Sequence, residues 1–242
     1  MYNSKSRDSI SRPPVLDRWF PPGSGPIFAL PFAHEDQIIE RPNHQVSRER
    51  FFRFSSHSLS KLKAKVNSEC NATKIISTLQ SLSALVWRCV TRARRLPAGE
   101  QTTCGLPVNN RILTCNMVYG VSARATAGEL LDHGVGRAAL RLHEAVVNYG
   151  DKDIKEMMDF WVKSPFVVKL DQLFGRNRNC VQMGSSPRFD MYGNEFELGK
   201  AFAVFGGYSY KFDGKVTLYP GREGGREHGF GSLPVARKHG GF

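Results

Sequence analysis

Apolar residues recur at helical spacing in several stretches of this chain. Leu79, Leu82, Val86, Val90 and Ala93 repeat every three or four residues, the period of one helix face. They predict a helix over 78–95. Ser77 and Gln80 stand three apart at its start, the spacing of a capping box, and Leu96-Pro97 stops it. Leu59, Leu62 and Val66 mark an earlier helix, with Lys61, Lys63 and Lys65 largely on its other face. Leu131, Val135, Ala138, Leu142 and Ala145 predict one over 127–149, again opened by a capping-box pair, Thr126 and Glu129. Gly134 and Gly136 weaken it, by about 1 kcal/mol each relative to Ala. Ile154, Met157, Met158 and Trp161 face inward on a helix over 152–163, with Asp151 as its cap and Ser164-Pro165 as its stop.

Other segments read as strands. Residues 50–54 form a short early one, and 101–110 a weak one interrupted by Gly105 and Pro107. Strands also fit 180–183, 200–206 and 215–219. Asp213-Gly214, between the last two, is a hairpin signal. Helices followed by strands, with one strand early, predict an α/β fold, a mixed sheet flanked by helices. On this reading the 78–95 helix packs on a sheet containing 200–206 and 215–219, with Trp87 as its buried anchor.

Composition narrows the class. Apolar residues make up 40% of 242, and 26 are aromatic, enough for a packed core and against disorder of the whole chain. The formal charge of +12 suits either a nucleic acid or an anionic small ligand. The cations are scattered, however, and no ladder of alternating basic and aromatic residues is present to stack bases. A basic surface without nucleic acid is the better reading. Five cysteines form no Cys-x-x-Cys pair, and the histidines are singletons, so no metal-ligand spacing is seen. No signal-peptide pattern opens the chain, and no apolar run approaches the ~18 residues of a membrane span. The expectation is a cytoplasmic protein with reduced thiols, without metal, membrane or nucleic-acid partner.

More than half of the thirteen prolines fall in residues 1–49, which read as an extended connector. Within it, His34-Glu35-Asp36 sets a base beside carboxylates, and is read as solvated sequence rather than a catalytic dyad. There is no Gly-x-Ser-x-Gly elbow and no phosphate loop. No independent catalytic residue is predicted.

Several ordered blocks nevertheless carry a resemblance. They are Ser77-Thr78-Leu79-Gln80-Ser81-Leu82-Ser83-Ala84-Leu85-Val86-Trp87-Arg88, Leu106-Pro107-Val108-Asn109-Asn110-Arg111, Ala127-Gly128-Glu129-Leu130-Leu131 and Met183-Gly184-Ser185-Ser186-Pro187-Arg188-Phe189. Asn194-Glu195-Phe196-Glu197-Leu198-Gly199-Lys200 and Tyr219-Pro220-Gly221-Arg222-Glu223-Gly224-Gly225 follow. Together they resemble the C-terminal part of the BAHD (HxxxD-type) plant acyl-CoA-dependent acyltransferases. The resemblance implies the C-terminal domain of a two-domain, chloramphenicol-acetyltransferase-like fold. It implies residues 1–49 as interdomain connector, 50–225 as a partial C-terminal domain and 226–242 as an aberrant basic tail.

By the same resemblance, the family moves an acyl group from acyl-CoA, a co-substrate, to a hydroxyl or amine acceptor. The histidine of its His-x-x-x-Asp motif is the general base, and donors must meet the tetrahedral oxyanion. Ser77 and Thr78 match Ser/Thr positions at the helix start and are the candidate coenzyme A contacts, since free backbone N–H groups there favour anions; the alternative reading is that Ser77 simply caps the helix.

The chain departs from the family pattern in four places. None of its seven histidines has an aspartate four residues later. The segment after Arg111 is short. Glu197 and Leu198 stand where the family has Gly and Trp, so no indole N–H is offered there. Beyond Gly225, Arg226-Glu227-His228-Gly229-Phe230 replaces an apolar strand, as a shifted reading frame would produce. The expectation is therefore an inactive member, lacking its final strand and leaving the 215–219 edge unpaired. The alternative is a non-catalytic fragment that binds coenzyme A or a partner. A basic nucleic-acid-binding protein is the third reading.

Overall fold

The computed structural model describes residues 31–37, 50–70, 76–108, 119–167, 179–185, 191–193, 199–204, 212–221 and 228–230. Its centre is helix α2, Thr78–Ala93. The predicted capping box forms in full: Ser77 Oγ accepts from Gln80 N at 3.2 Å, and Ser77 N donates to Gln80 Oε1 at 2.9 Å. Past the Arg94 cap, Arg95 takes a φ of +50°, a left-handed turn that ends the helix. The buried face is broader than the aliphatic stripe. It includes Ser81, Ser83 and Thr91 beside Leu82, Val86 and Trp87, whereas Ala93 is exposed.

Helix α1, Ser56–Glu69, starts at the Ser55 cap and buries Leu59 and Val66 as the pattern requires. It packs on α2 and on α4. Among the described residues six strands form one mixed sheet in the order β1-β6-β5-β4-β2-β3. They are β1 Arg53–Phe54, β2 Gln101–Val108, β3 Tyr119–Thr126, β4 Cys180–Ser185, β5 Lys215–Pro220 and β6 His228–Phe230. β2 pairs antiparallel with β3 and parallel with β4, β4 pairs parallel with β5, and β6 lies antiparallel between β5 and β1. One face carries Cys104, Leu106, Val121, Ala123, Ala125, Val181, Met183, Val216 and Leu218 into the core under the helices. The residues alternating with them are small or polar: Gly105, Ser122, Arg124, Gln182, Lys215 and Thr217.

The architecture is the mixed sheet with flanking helices that the pattern predicted; several elements differ. The 127–149 helix is two: α3, Ala127–Asp132, and α4, Val135–Val147. Long-range side chains stabilise both sides of the break. Arg88 donates to the carbonyls of Leu130, Leu131 and His133 at the end of α3. Glu69 Oε2 accepts from Gly136 N at 2.6 Å in the first turn of α4. A Cβ at Gly134 would strike the Glu69 carboxylate, and one at Gly136 would lie 2.6 Å from Glu69 Cβ. The glycines admit the capping carboxylate. Thr126 Oγ1 accepts from Glu129 N, but the Glu129 carboxylate turns to Arg137 and Arg141 instead of closing the box. Leu130, not Leu131, is buried.

Helix α5, Asp151–Lys163, has Gly150 as its cap, with Asp153 Oδ2 accepting from Gly150 N at 2.8 Å. Of its predicted inward residues only Ile154 is buried. β3 was not expected at all. Its inward residues, Val121, Ala123 and Ala125, include two alanines too small to give a clear alternating signal. β2 runs unbroken through Gly105 and Pro107.

Residues 200–204 are not in the sheet, and Phe202 is 80% exposed; 205 and 206 lie outside the described residues. β4 already has β2 and β5 beside it, and β5 has β4 and β6. Strand propensity that joins no ladder makes no strand. The 215–219 edge expected to be unpaired is covered by β6, which pairs Leu218 with Phe230, Tyr219 with Gly229 and Pro220 with His228. Asp213-Gly214 makes a tight turn, closed by Lys215 N donating to Phe212 O at 3.1 Å, but not the hairpin it signalled, since 200–204 form no strand and β5 pairs with β4 and β6. Gly214 has a φ of +91°, and a Cβ there would strike the Cys180 carbonyl oxygen, so glycine alone fits.

Candidate functional site

The start of α2 is held from three directions. Asn67, in the last turn of α1, accepts from Ile76 N at 2.9 Å through Oδ1 and donates to Ile76 O at 3.4 Å through Nδ2. Ile76 itself is fully buried. Ser81 Oγ donates to Ser77 O at 2.9 Å. Ser77 and Thr78 are thus fixed at the surface, Ser77 exposed and Thr78 half-exposed. The Ser77 hydroxyl accepts from Gln80 N and keeps its own proton for donation to a ligand oxygen. The helix's first turn holds no acidic residue, so its positive end is not neutralised within the helix. Chemically this arrangement can hold an anionic oxygen. It offers no nucleophile or base.

The Trp-Arg pair of the same helix anchors it. Trp87 is fully buried, and its Nε1 donates to Thr102 Oγ1 at 3.0 Å. Thr102 Oγ1 donates in turn to Asn179 O at 2.6 Å, which ties α2 to β2 and the entrance of β4. Arg88 holds the end of α3, as above. Arg94 donates to Cys180 O at 3.2 Å and pairs with Asp213 Oδ2 at 3.2 Å, fixing the turn that feeds β5. Arg88, Arg94 and Glu69 are positioning residues to which the sequence reading gave no role, although Arg88 closed one of the family blocks. The only signal was a charged residue beside, or inside, an otherwise amphipathic helix.

Titratable groups here are structural. Burial alone would raise the Glu129 carboxyl. The hydrogen bonds and charges of Arg141 and Arg137, at 2.8–2.9 Å, outweigh it and hold the carboxyl below its usual range. Full burial, with Cys180 a lesser cause, pushes the Cys104 thiol far above its ordinary range. Burial, with Glu69 beside it, raises Cys70. Neither thiol is a reactive thiolate. His34 is exposed before a 3-10 turn, Glu35–Gln37. Among the described residues no group of three or more His, Cys, Asp or Glu could hold a metal, and no helix is long and apolar enough to cross a membrane. Glu197, Leu198 and 222–225 lie outside the described residues, as do 109–118.

Comparison with known proteins places this geometry. The family described as the Transferase family matches residues 6–234. An uncharacterized acetyltransferase of Arabidopsis thaliana is 31% identical over 214 residues, covering 83% of this chain and 48% of that protein. BAHD acyltransferase DCR, also of Arabidopsis thaliana, is 33% identical over 188 residues, covering 73% of this chain and 38% of that protein. The chain thus spans less than half the length of these relatives. In fold it is similar to TRI101 of F. sporotrichioides, solved with coenzyme A and T-2, at a TM-score of 0.64 and 18% identity, over 82% of this chain and 52% of that one. The match across nearly the whole chain, joined to the mixed sheet and the Trp-Arg helix, makes this chain a member of the BAHD acyltransferase family.

Proposed function

We propose that this chain supplies the acyl-CoA-holding part of an acyltransferase acting on a hydroxyl or amine acceptor, and that these 242 residues alone do not turn over. The observation that carries the first half is the family match over 6–234, supported by a fold similar to that of a protein solved with coenzyme A. Ser77 and Thr78 are the proposed contacts to an anionic group of coenzyme A. The exposed and acid-free start of α2 supports this: the capping box takes up the Ser77 and Gln80 N–H groups, and the Thr78 and Leu79 N–H groups and the Ser77 hydroxyl proton are left to meet an anion at the helix's positive end. The second half rests on the histidines: none has the His-x-x-x-Asp spacing of the family's base.

A calorimetric titration of the purified chain with coenzyme A tests the contact. Binding weakened by Ser77→Ala and Thr78→Ala is expected. No heat, or heat unchanged in both variants, would leave Ser77 as a helix cap and nothing more. Turnover is tested separately with a panel of acyl-CoA donors and with alcohol and amine acceptors.

A further inference from the structure

The two edges of the sheet differ. β1 is two residues long, a length that protects an edge by offering little to pair with. β3 is eight residues long, and all eight pair with β2 in continuous register, Gln101 with Thr126 through Val108 with Tyr119. It has no proline and no bulge, and its residues between Gly120 and Ala125 are small except Arg124. Among the described residues none of the usual guards of an edge is present beyond that one charge.

The ladder fixes which groups are open. Thr103 N donates to Asn179 O on the β4 side. Residues of a strand alternate in the side to which their N–H and C=O point, so Thr102, Cys104 and Leu106 face β3. Their partners Ala125, Ala123 and Val121 face back. The backbone N–H and C=O of Gly120, Ser122 and Arg124 therefore point away from the sheet. No other described segment pairs with them. Their side chains lie on the face opposite the helices, and Ser122 and Arg124 are exposed. Arg124 has no ion-pair partner among the described residues.

We infer that the outer edge of β3 is a docking site for an extended segment of a partner chain, added as a further antiparallel strand, with an acidic residue opposite Arg124. Three outward backbone pairs supply the register and the unpaired guanidinium supplies the choice of side chain. A carboxylate placed directly opposite it makes a favourable cross-strand pair. The overall +12 charge acts in the same direction, favouring an acidic segment and opposing a second copy of this chain. The site is separate from the start of α2 and does not depend on acyl transfer.

The test uses the whole chain and fluorescence anisotropy with a labelled eight-residue peptide of alternating Val and Thr carrying one central Glu. Three comparison peptides complete the set: Lys in place of Glu, the Glu peptide with backbone N-methyl groups on one edge, and the same with them on the other. We expect the Glu peptide to bind about 5-fold more tightly than the Lys peptide, and Arg124→Glu to invert that order. We also expect methylation of one edge to abolish binding and methylation of the other to leave it intact. If Arg124→Glu does not fold, the methylated pair still decides with the unaltered chain. Equal binding of Glu and Lys peptides, or indifference to methylation of either edge, would overturn the proposal. So would a concentration-dependent dimer, seen by sedimentation, that excludes the peptide from the edge.

Discussion

At the residue scale, Trp87 carries more than its area. Its ring fills the space between α2 and the sheet, and its Nε1 takes up the Thr102 hydroxyl, which in turn satisfies Asn179 O. Trp87→Ala removes a buried ring and should cost ~3–5 kcal/mol in urea unfolding. Trp87→Phe keeps most of the packing and loses the hydrogen bond, so it should cost less; an equal cost would assign the whole effect to the polar link. Glu129 gives a pH prediction with a fixed sign. Its folded carboxyl is held below the usual range, so its contribution is present above the unfolded value of about 4.3 and is lost as pH falls through the folded one. The stability gap between the natural chain and Glu129→Gln should be open at pH 7 and close in acid below the ordinary carboxylate range. A gap independent of pH would mean that the arginines do not bind the ionised form.

At the element scale, the break between α3 and α4 decides between propensity and packing. Helix propensity alone says that Gly136→Ala stabilises α4, by about 1 kcal/mol. The built Cβ lies 2.6 Å from Glu69 Cβ, part of the stem of a carboxylate that caps the helix, and it cannot simply swing aside. Forcing the two apart should cost about 1–3 kcal/mol and disturb the Gly136 N bond. The expected outcome is net destabilisation, and Glu69→Ala should relieve the clash while losing the cap. A more stable Gly136→Ala chain would show that the junction yields. The start of α2 depends likewise on a neighbouring element. Asn67→Ala should loosen Ile76 and lower any coenzyme A affinity without touching Ser77 or Thr78, which a titration would reveal.

At the scale of the molecule, helices cover one face of the sheet among the described residues, and small and polar residues line the other. On the proposed reading the start of α2 holds an anion, and none of the seven histidines has the His-x-x-x-Asp spacing of the family's base. A general base is typically worth ~10²–10⁴-fold in rate, and orientation of two substrates in a shared channel is worth more. The purified 242-residue chain should therefore show no acyl transfer above background with any donor and acceptor pair. Turnover abolished by substituting one of its own histidines would reverse this, and exposed His34 is the first to substitute.

Local order was legible from the chain itself. The period of Leu79, Leu82 and Val86, the Ser77–Gln80 spacing and Leu96-Pro97 specify α2 because helix faces and caps are set by residues three or four apart. The ordered blocks around Trp87-Arg88 and Leu106-Pro107 specified the family for the same reason: they are read along the chain. The Asp213-Gly214 turn was legible too, since a positive φ demands glycine. Partners distant in sequence were not legible. Arg88 reaching the end of α3, Glu69 capping α4 and Arg94 holding the 213–214 turn join residues 42 or more positions apart. The two helices where the pattern predicts one follow from those contacts. Tertiary structure alone decided which apolar runs became strands. β3, with two alanines among its inward residues, pairs with β2, while Ala201 to Val204 join no ladder, because a strand is stabilised by the ladder it joins and not by its own residues alone.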